Sequence, residues 1–145
     1  MYYLTTLLVA VLTFVPVLRV LAQEVTTLSY DSNYDNAGLP LDNVACSDGV
    51  NGLKTKNPNY TTLGSLPTFP NIGGAYTVSG WNSTECGTCY ALTYGSTTVN
   101  ILAVDRSVNG FTVSEEAMNT LTGGQAALGT VYVSFVSVPP SVCGL

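Results

Sequence analysis

Beyond residue 22 the chain alternates short β-branched and aromatic runs with breaks at glycine, proline and asparagine. Five runs carry a strand signature: 25–30 (VTTLSY), 76–78, 89–94 (CYALTY), 97–104 (TTVNILAV) and 130–138 (TVYVSFVSV). In the last, Val131, Val133 and Phe135, with Ser137, fall on one face, and Tyr132, Ser134, Val136 and Val138 on the other. Pro139-Pro140 ends that run. Turn signals lie between the runs at Asn51-Gly52, 71–74, Gly80, Asn109-Gly110 and Gly123-Gly124. One helix is predicted over 115–121, with Ser114 as N-cap, Glu115 and Glu116 in the first turn and Gly123 as the stop. A second short helix is expected near 41–46. Many short strands without an internal repeat or linker predict one small closed β-barrel.

The first 22 residues differ in kind. Residues 2–21 are almost wholly apolar or hydroxylic, with Arg19 the single charge, and 7–18 has the length of a signal-peptide core. Val20-Leu21-Ala22 ends on a small residue, so the reading is a signal peptide over 1–22, cleavage after Ala22 and one mature domain over 23–145. The start of the run holds no Lys or Arg, and a membrane anchor competes, since the run approaches the roughly 20 residues a spanning helix needs. Tyr3, Thr5, Thr6, Thr13, Pro16 and Arg19 suit a cleaved leader better.

Charge narrows the partners. The mature part holds three bases, Lys54, Lys56 and Arg106, against nine acids, a net charge of −6. Nothing resembles the Lys/Arg clusters that bind phosphate backbones or acidic lipid, so neither nucleic acid nor insertion of the mature chain in a membrane is expected. Few charges and many Thr, Ser, Asn, Tyr and Gly suit a neutral polar ligand. There is no histidine, which removes Ser-His-Asp and Cys-His nucleophiles and the commonest metal ligand. No metal and no cofactor is expected.

All four cysteines, Cys46, Cys86, Cys89 and Cys143, lie beyond the leader. An even number in a secreted chain reads as two disulfides, with three pairings open. The CxxC spacing of Cys86 and Cys89 reads as structural here, because no alternating strand–helix pattern supports redox chemistry.

An ordered set of segments then resembles the cerato-platanin family. It runs from Ser29-Tyr30-Asp31 through Val44-Ala45-Cys46-Ser47-Asp48-Gly49, Asn51-Gly52-Leu53 and Thr62-Leu63-Gly64 to Phe69-Pro70-Asn71-Ile72-Gly73-Gly74. It continues with Gly80-Trp81-Asn82, Cys86-Gly87-Thr88-Cys89, ILAVD at 101–105, Ala117-Met118 and Cys143. The resemblance implies a mainly β fold: a six-stranded double-ψ β-barrel with one or two short helices, like expansin domain 1 and barwin-like proteins. It implies sequential pairing, Cys46–Cys86 and Cys89–Cys143. It also implies a secreted fungal protein of the extracellular space and cell wall. Such proteins bind chitin-type oligosaccharides, gather at interfaces, often elicit plant defence and in some cases loosen cellulosic material without releasing sugar.

Sugar binding needs rings to stack on apolar C–H faces and polar groups for hydroxyls. The candidates are Tyr30, Asp31, Tyr34, Asn51, Gly52 and Asp105, on or beside the segments the resemblance places at a shallow groove. For Tyr30 and Tyr34 the plainer reading is a partly buried strand residue; for Asp31, a turn residue; for Asp105, a carboxylate accepting backbone N–H groups. Trp81 is a further candidate platform for a sugar face; its plainer reading is packing over the Cys86/Cys89 region. Glycosidase chemistry wants two carboxylates across one bond, and Asp105 with Asp31 is the weak candidate pair. Asn59 and Asn82 open glycosylation sequons.

The favoured function is non-catalytic binding of chitin or other wall polysaccharide, cellulose included, with wall loosening and elicitor activity through an unnamed plant receptor. The alternatives are a surface-active, self-assembling coat protein, monomeric in solution, and a weak glycan-cleaving enzyme.

Overall fold

A computed structural model of the chain describes residues 23–145; the leader over 1–22 and its cleavage after Ala22 lie outside the described residues. Six strands are present: β1 (Glu24–Tyr30), β2 (Ile72–Ala75), β3 (Cys89–Tyr94), β4 (Thr97–Arg106), β5 (Phe111–Val113) and β6 (Val131–Val138). They close into a barrel in the order β1-β5-β2-β4-β3-β6, with β6 pairing back to β1. The β1–β5 and β2–β4 pairs are parallel; the others are antiparallel. Closure leaves no free sheet edge. The chain thus forms the six-stranded barrel expected from the resemblance. Its cysteines pair as Cys46–Cys86 and Cys89–Cys143, which selects one of the three open connectivities.

Alternation decides what fills the barrel. On β6, Val131, Val133 and Phe135 are buried while Tyr132 and Val136 are exposed, as the pattern predicts; Ser137, near the strand end, is exposed. Rings meet edge-on inside, with Phe111 centred 5.0 Å from Tyr90 and 5.1 Å from Phe135. On β4, Ile101, Leu102, Ala103 and Val104 are all buried, because helix α2 (Glu115–Thr122) and the C-terminal turn cover the strand's outer side. Helix α2 forms where predicted. Ser114 Oγ accepts from the Ala117 N–H at 3.0 Å, and Gly123 closes the helix at φ 70°.

Three local expectations need correction. Residues 76–78 are not a strand; the strand lies just before them, in β2, over residues read as a turn. The glycines of β2 serve close approach: a Cβ on Gly73 would stand 2.3 Å from the Thr112 carbonyl oxygen, and the β2–β4 register shifts between Gly73 and Gly74. The second helix is not over 41–46, which holds one 3-10 turn at Leu41–Asn43 before the chain extends and Cys46 N–H donates to the Val104 carbonyl (3.0 Å). A short α1 forms instead at Leu53–Lys56. Strand β5 is an addition: three residues after Asn109-Gly110 are too few to show a period. Among the described residues, no helix is long and apolar enough to cross a membrane.

Candidate functional site

Where β1 runs out, Asp31 continues the parallel pairing through its N–H to the Val113 carbonyl (2.9 Å). Its Oδ1 accepts from the Asn33 N–H (2.9 Å) and caps a 3-10 turn over Ser32–Asp35. The turn is fixed at its far end by Asp35, whose two carboxylate oxygens accept from the Glu115 and Glu116 N–H groups at the start of α2 (2.8 and 3.0 Å). Those two helical N–H groups would otherwise lack partners, and the carboxylate sits at the positive end of the helix. So held, the turn drives Tyr34 inward, and its hydroxyl donates to Asp105 Oδ2 at 2.9 Å.

Asp105 comes from the end of β4 and is half-buried. Its Oδ1 accepts from the Ala45 and Arg106 N–H groups (2.9 and 2.8 Å). One carboxylate therefore ties together β4, the Ala45 segment and the Tyr34 turn. The structural role weighed for Asp105 in the sequence is realised, and so is the turn role of Asp31.

These residues floor a depression of about 250 Å3 that also takes in Leu39, Asn43 and Val44. Asp31 and Tyr34 are shared with a wider groove of about 850 Å3, which runs over the neighbouring strands past Tyr76 and Arg106. Its bed carries a chain of hydroxyls: Thr112 Oγ1 hydrogen-bonds with Ser29 Oγ at 3.1 Å and with Ser107 Oγ at 3.0 Å. Hydroxyls can donate or accept as a ligand requires. Tyr76 is exposed and buttressed edge-on by Phe111 and Phe135, which fixes its ring at the groove.

Burial, then the charge and hydrogen bond of Asp105, then the charge of Asp31, raise the Tyr34 phenol far above its ordinary value of 10.0. The folded state keeps the proton that the unfolded chain releases near pH 10, so Tyr34 supports folding below that pH. Its contribution is lost as pH rises above it. Denaturant titrations from pH 8 to 11 are expected to show stability falling more steeply in the native protein than in Tyr34→Phe. Parallel slopes would contradict this.

The candidates divide in space. Asp31, Tyr34 and Asp105 come together. Tyr30 is half-buried against the core and lines neither part of the groove. Asn51 and Gly52 belong to a different cluster. Asn51 N–H donates to Asn82 Oδ1 (3.0 Å) and Asn51 Nδ2 to the Asn82 carbonyl (2.9 Å). A Cβ on Gly52 would lie 2.2 Å from the Asp48 carbonyl oxygen, so glycine is needed there for packing. Trp81 does not pack over the disulfides: it is 65 % exposed, and its indole N–H donates to Asp48 Oδ1 at 2.7 Å. Of the sequon residues, Asn59 is exposed, while the side-chain oxygen of Asn82 is engaged by Asn51. Sequence reasoning missed Ser29, Tyr76, Arg106, Ser107 and Thr112. The outward positions of β1 could have suggested Ser29; the others depend on β5 and its flanking loops.

Comparison with known proteins bears on this barrel directly. The family model described as Cerato-platanin matches residues 26–145. A heat-stable 19 kDa antigen of Coccidioides posadasii (strain RMSCC 757 / Silveira) is 47% identical over 119 residues, covering 81% of this chain and 80% of that protein. The crystal structure of cerato-platanin 2 from M. perniciosa superposes with a TM-score of 0.79 at 43% identity, covering 84% of this chain and 100% of the other. The solution structure of the fungal elicitor Cerato-Platanin gives 0.73 at 39% identity, over 81% and 95% of the two chains.

Proposed function

This chain belongs to the cerato-platanin family, and on that premise we propose that it is a secreted fungal protein that binds chitin-type oligosaccharide or other cell-wall polysaccharide without cleaving it. The observation that carries this reading is the convergence of Asp31, Tyr34 and Asp105 on a groove bedded with hydroxyls. Such a groove offers donors and acceptors to sugar hydroxyls and the exposed ring of Tyr76 to a ring face, with Tyr34 fixing Asp105 from below.

Geometry argues against turnover through Asp105. A general acid must present a proton to the leaving oxygen, yet both oxygens of Asp105 already accept from protein donors. Asp31 holds the 3-10 turn with one oxygen. The pair builds the groove and fixes its shape. Wall loosening would then follow from competition for hydroxyl contacts between polysaccharide chains. Elicitor activity, which the solved relative's description names for that protein, extends the same reading to this chain, with a plant receptor as partner.

The test is Asp31→Asn. Asparagine caps the turn as well as aspartate does, so the melting temperature is expected to stay within about 2 °C, since a cap-neutral change costs only a few tenths of a kcal/mol. Retention on insoluble chitin is expected to weaken about tenfold, the loss of one charge-assisted hydrogen bond to ligand. Unchanged retention would remove Asp31 from the binding surface.

A second reading has its own observation. Tyr132 (72 % exposed) and Val25 (66 %) face outward on the paired β1 and β6, and Val136 follows on β6. This face supports interfacial assembly, with the protein monomeric in bulk solution. Tyr132→Ser would then reduce film formation and leave chitin retention intact.

A further inference from the structure

An exposed indole is held rigidly away from the groove. Trp81 lies between Gly80, at φ 149°, and Asn82, at φ 58°. A left-handed asparagine costs backbone energy and persists only where its surroundings dictate it. Here they do. Asn82 is gripped through its side chain and its carbonyl by Asn51, and Gly49 comes so close that a Cβ there would lie 2.7 Å from Asn82 Oδ1. The Cys46–Cys86 disulfide brackets both loops. The Trp81 indole N–H then donates to Asp48 Oδ1 at 2.7 Å, which fixes the ring plane.

The chain thus keeps a strained residue and a large apolar ring in water. What surrounds the ring indicates what it is for. Asp48 bonds the indole, and Asn82, next to Trp81 in the chain, is bonded by Asn51 of the facing loop, so the groups tied to this segment are polar. A buried protein–protein anchor would sit in a larger apolar patch. A flat ring edged by a carboxylate and amides matches a pyranose, whose C–H face stacks and whose hydroxyls bond at the rim. The indole, by its hydrogen bond, holds the Asp48 carboxyl below the usual carboxylate range, so the acceptor stays charged.

We propose that Trp81, with Asp48 and Asn51, forms a second carbohydrate site that stacks the apolar face of a β-linked pyranose, separate from the groove at Tyr34. Neither part of the groove includes these residues. The ligand class rests on the polysaccharide reading above. Two sites on one rigid barrel would let a single polymer chain or two adjacent chains be held at once, which raises avidity without any new contact.

Trp81 is the sole tryptophan, so its emission reports this site alone. The mature oxidised protein is titrated with chitohexaose and with cellohexaose, while amide shifts around Asp31 and Tyr34 report the groove. A saturable change in indole emission is expected with at least one sugar. Asp48→Ala is expected to weaken it about tenfold, and Tyr132→Ser, outside both sites, to leave its midpoint within about twofold. By calorimetry, Trp81→Phe keeps part of the binding that Trp81→Ala loses. Flat emission while the groove amides shift would overturn this proposal and leave the groove reading standing. Saturating emission with silent groove amides would do the reverse. Silence at both would overturn both.

Discussion

Asp105→Ala is expected to unfold about 10 °C below the native protein and to lose retention on chitin. The side chain receives three donors, from Tyr34, Ala45 and Arg106. Removing it strands a buried phenol and a half-buried N–H, each worth about 1–3 kcal/mol when left unpaired. A combined loss near 3 kcal/mol corresponds to about 10 °C for a domain of this size. The groove loses part of its floor as well, because this carboxylate bonds both the Tyr34 turn and the Ala45 segment. Asp105→Asn keeps an acceptor for the two N–H groups and can donate to the Tyr34 oxygen, so it should lose about 1 kcal/mol. Tyr34→Phe should lose about as much, since it leaves both N–H bonds in place. Differential scanning calorimetry on the three variants separates these cases. Equal melting temperatures for Asp105→Ala and the native protein would show that the tie carries no weight.

The disulfides carry the other large effect. They close loops of 40 and 54 residues, and the chain-entropy estimate gives each about 4 kcal/mol, with about 2–5 usual in practice. All four sulfurs are buried, so reductant should act only on opened molecules. Replacing Cys89 and Cys143 by serine should lower stability to denaturant by that amount and leave the groove intact when the protein is folded in the cold, because that bridge ties β3 to the C-terminal turn. Replacing Cys46 and Cys86 should lower it similarly and also weaken chitin retention. The Cys46 N–H lies on the Val104 carbonyl, one residue from Asp105, and Ala45 binds Asp105 directly. Equal retention in the two folded double variants would contradict this division.

What the sequence disclosed follows from how local each cause is. Strands β3 and β4 announce themselves as β-branched and aromatic runs, β6 by alternation as well, and α2 by Ser114 and Gly123, since these signals act within a few residues. Strands β2 and β5 are hidden for opposite reasons. Gly73 and Gly74 read equally well as a turn or as a close approach, and only the Thr112 carbonyl across the barrel decides. Phe111–Val113 is too short to carry a pattern. At the site, Asp31 and Asp105 are legible as polar strand ends and through the family resemblance. The inward turn of Tyr34 depends on Asp35 reaching α2, 80 residues away in sequence. The outward indole of Trp81 depends on Asn51 and Asp48, and no spacing near Trp81 signals either partner.

The central claim is that this groove binds wall polysaccharide and does not cut it. The direct test incubates mature, oxidised protein with insoluble chitin and with cellulose and measures, in the same tubes, protein left in solution and reducing ends formed. Depletion of protein with no new reducing ends is the predicted result. Steady release of reducing ends that disappears in Asp105→Asn would contradict it and make Asp105 a catalytic residue, and failure to deplete on either polymer would move the function to the outer β1–β6 face or to a receptor.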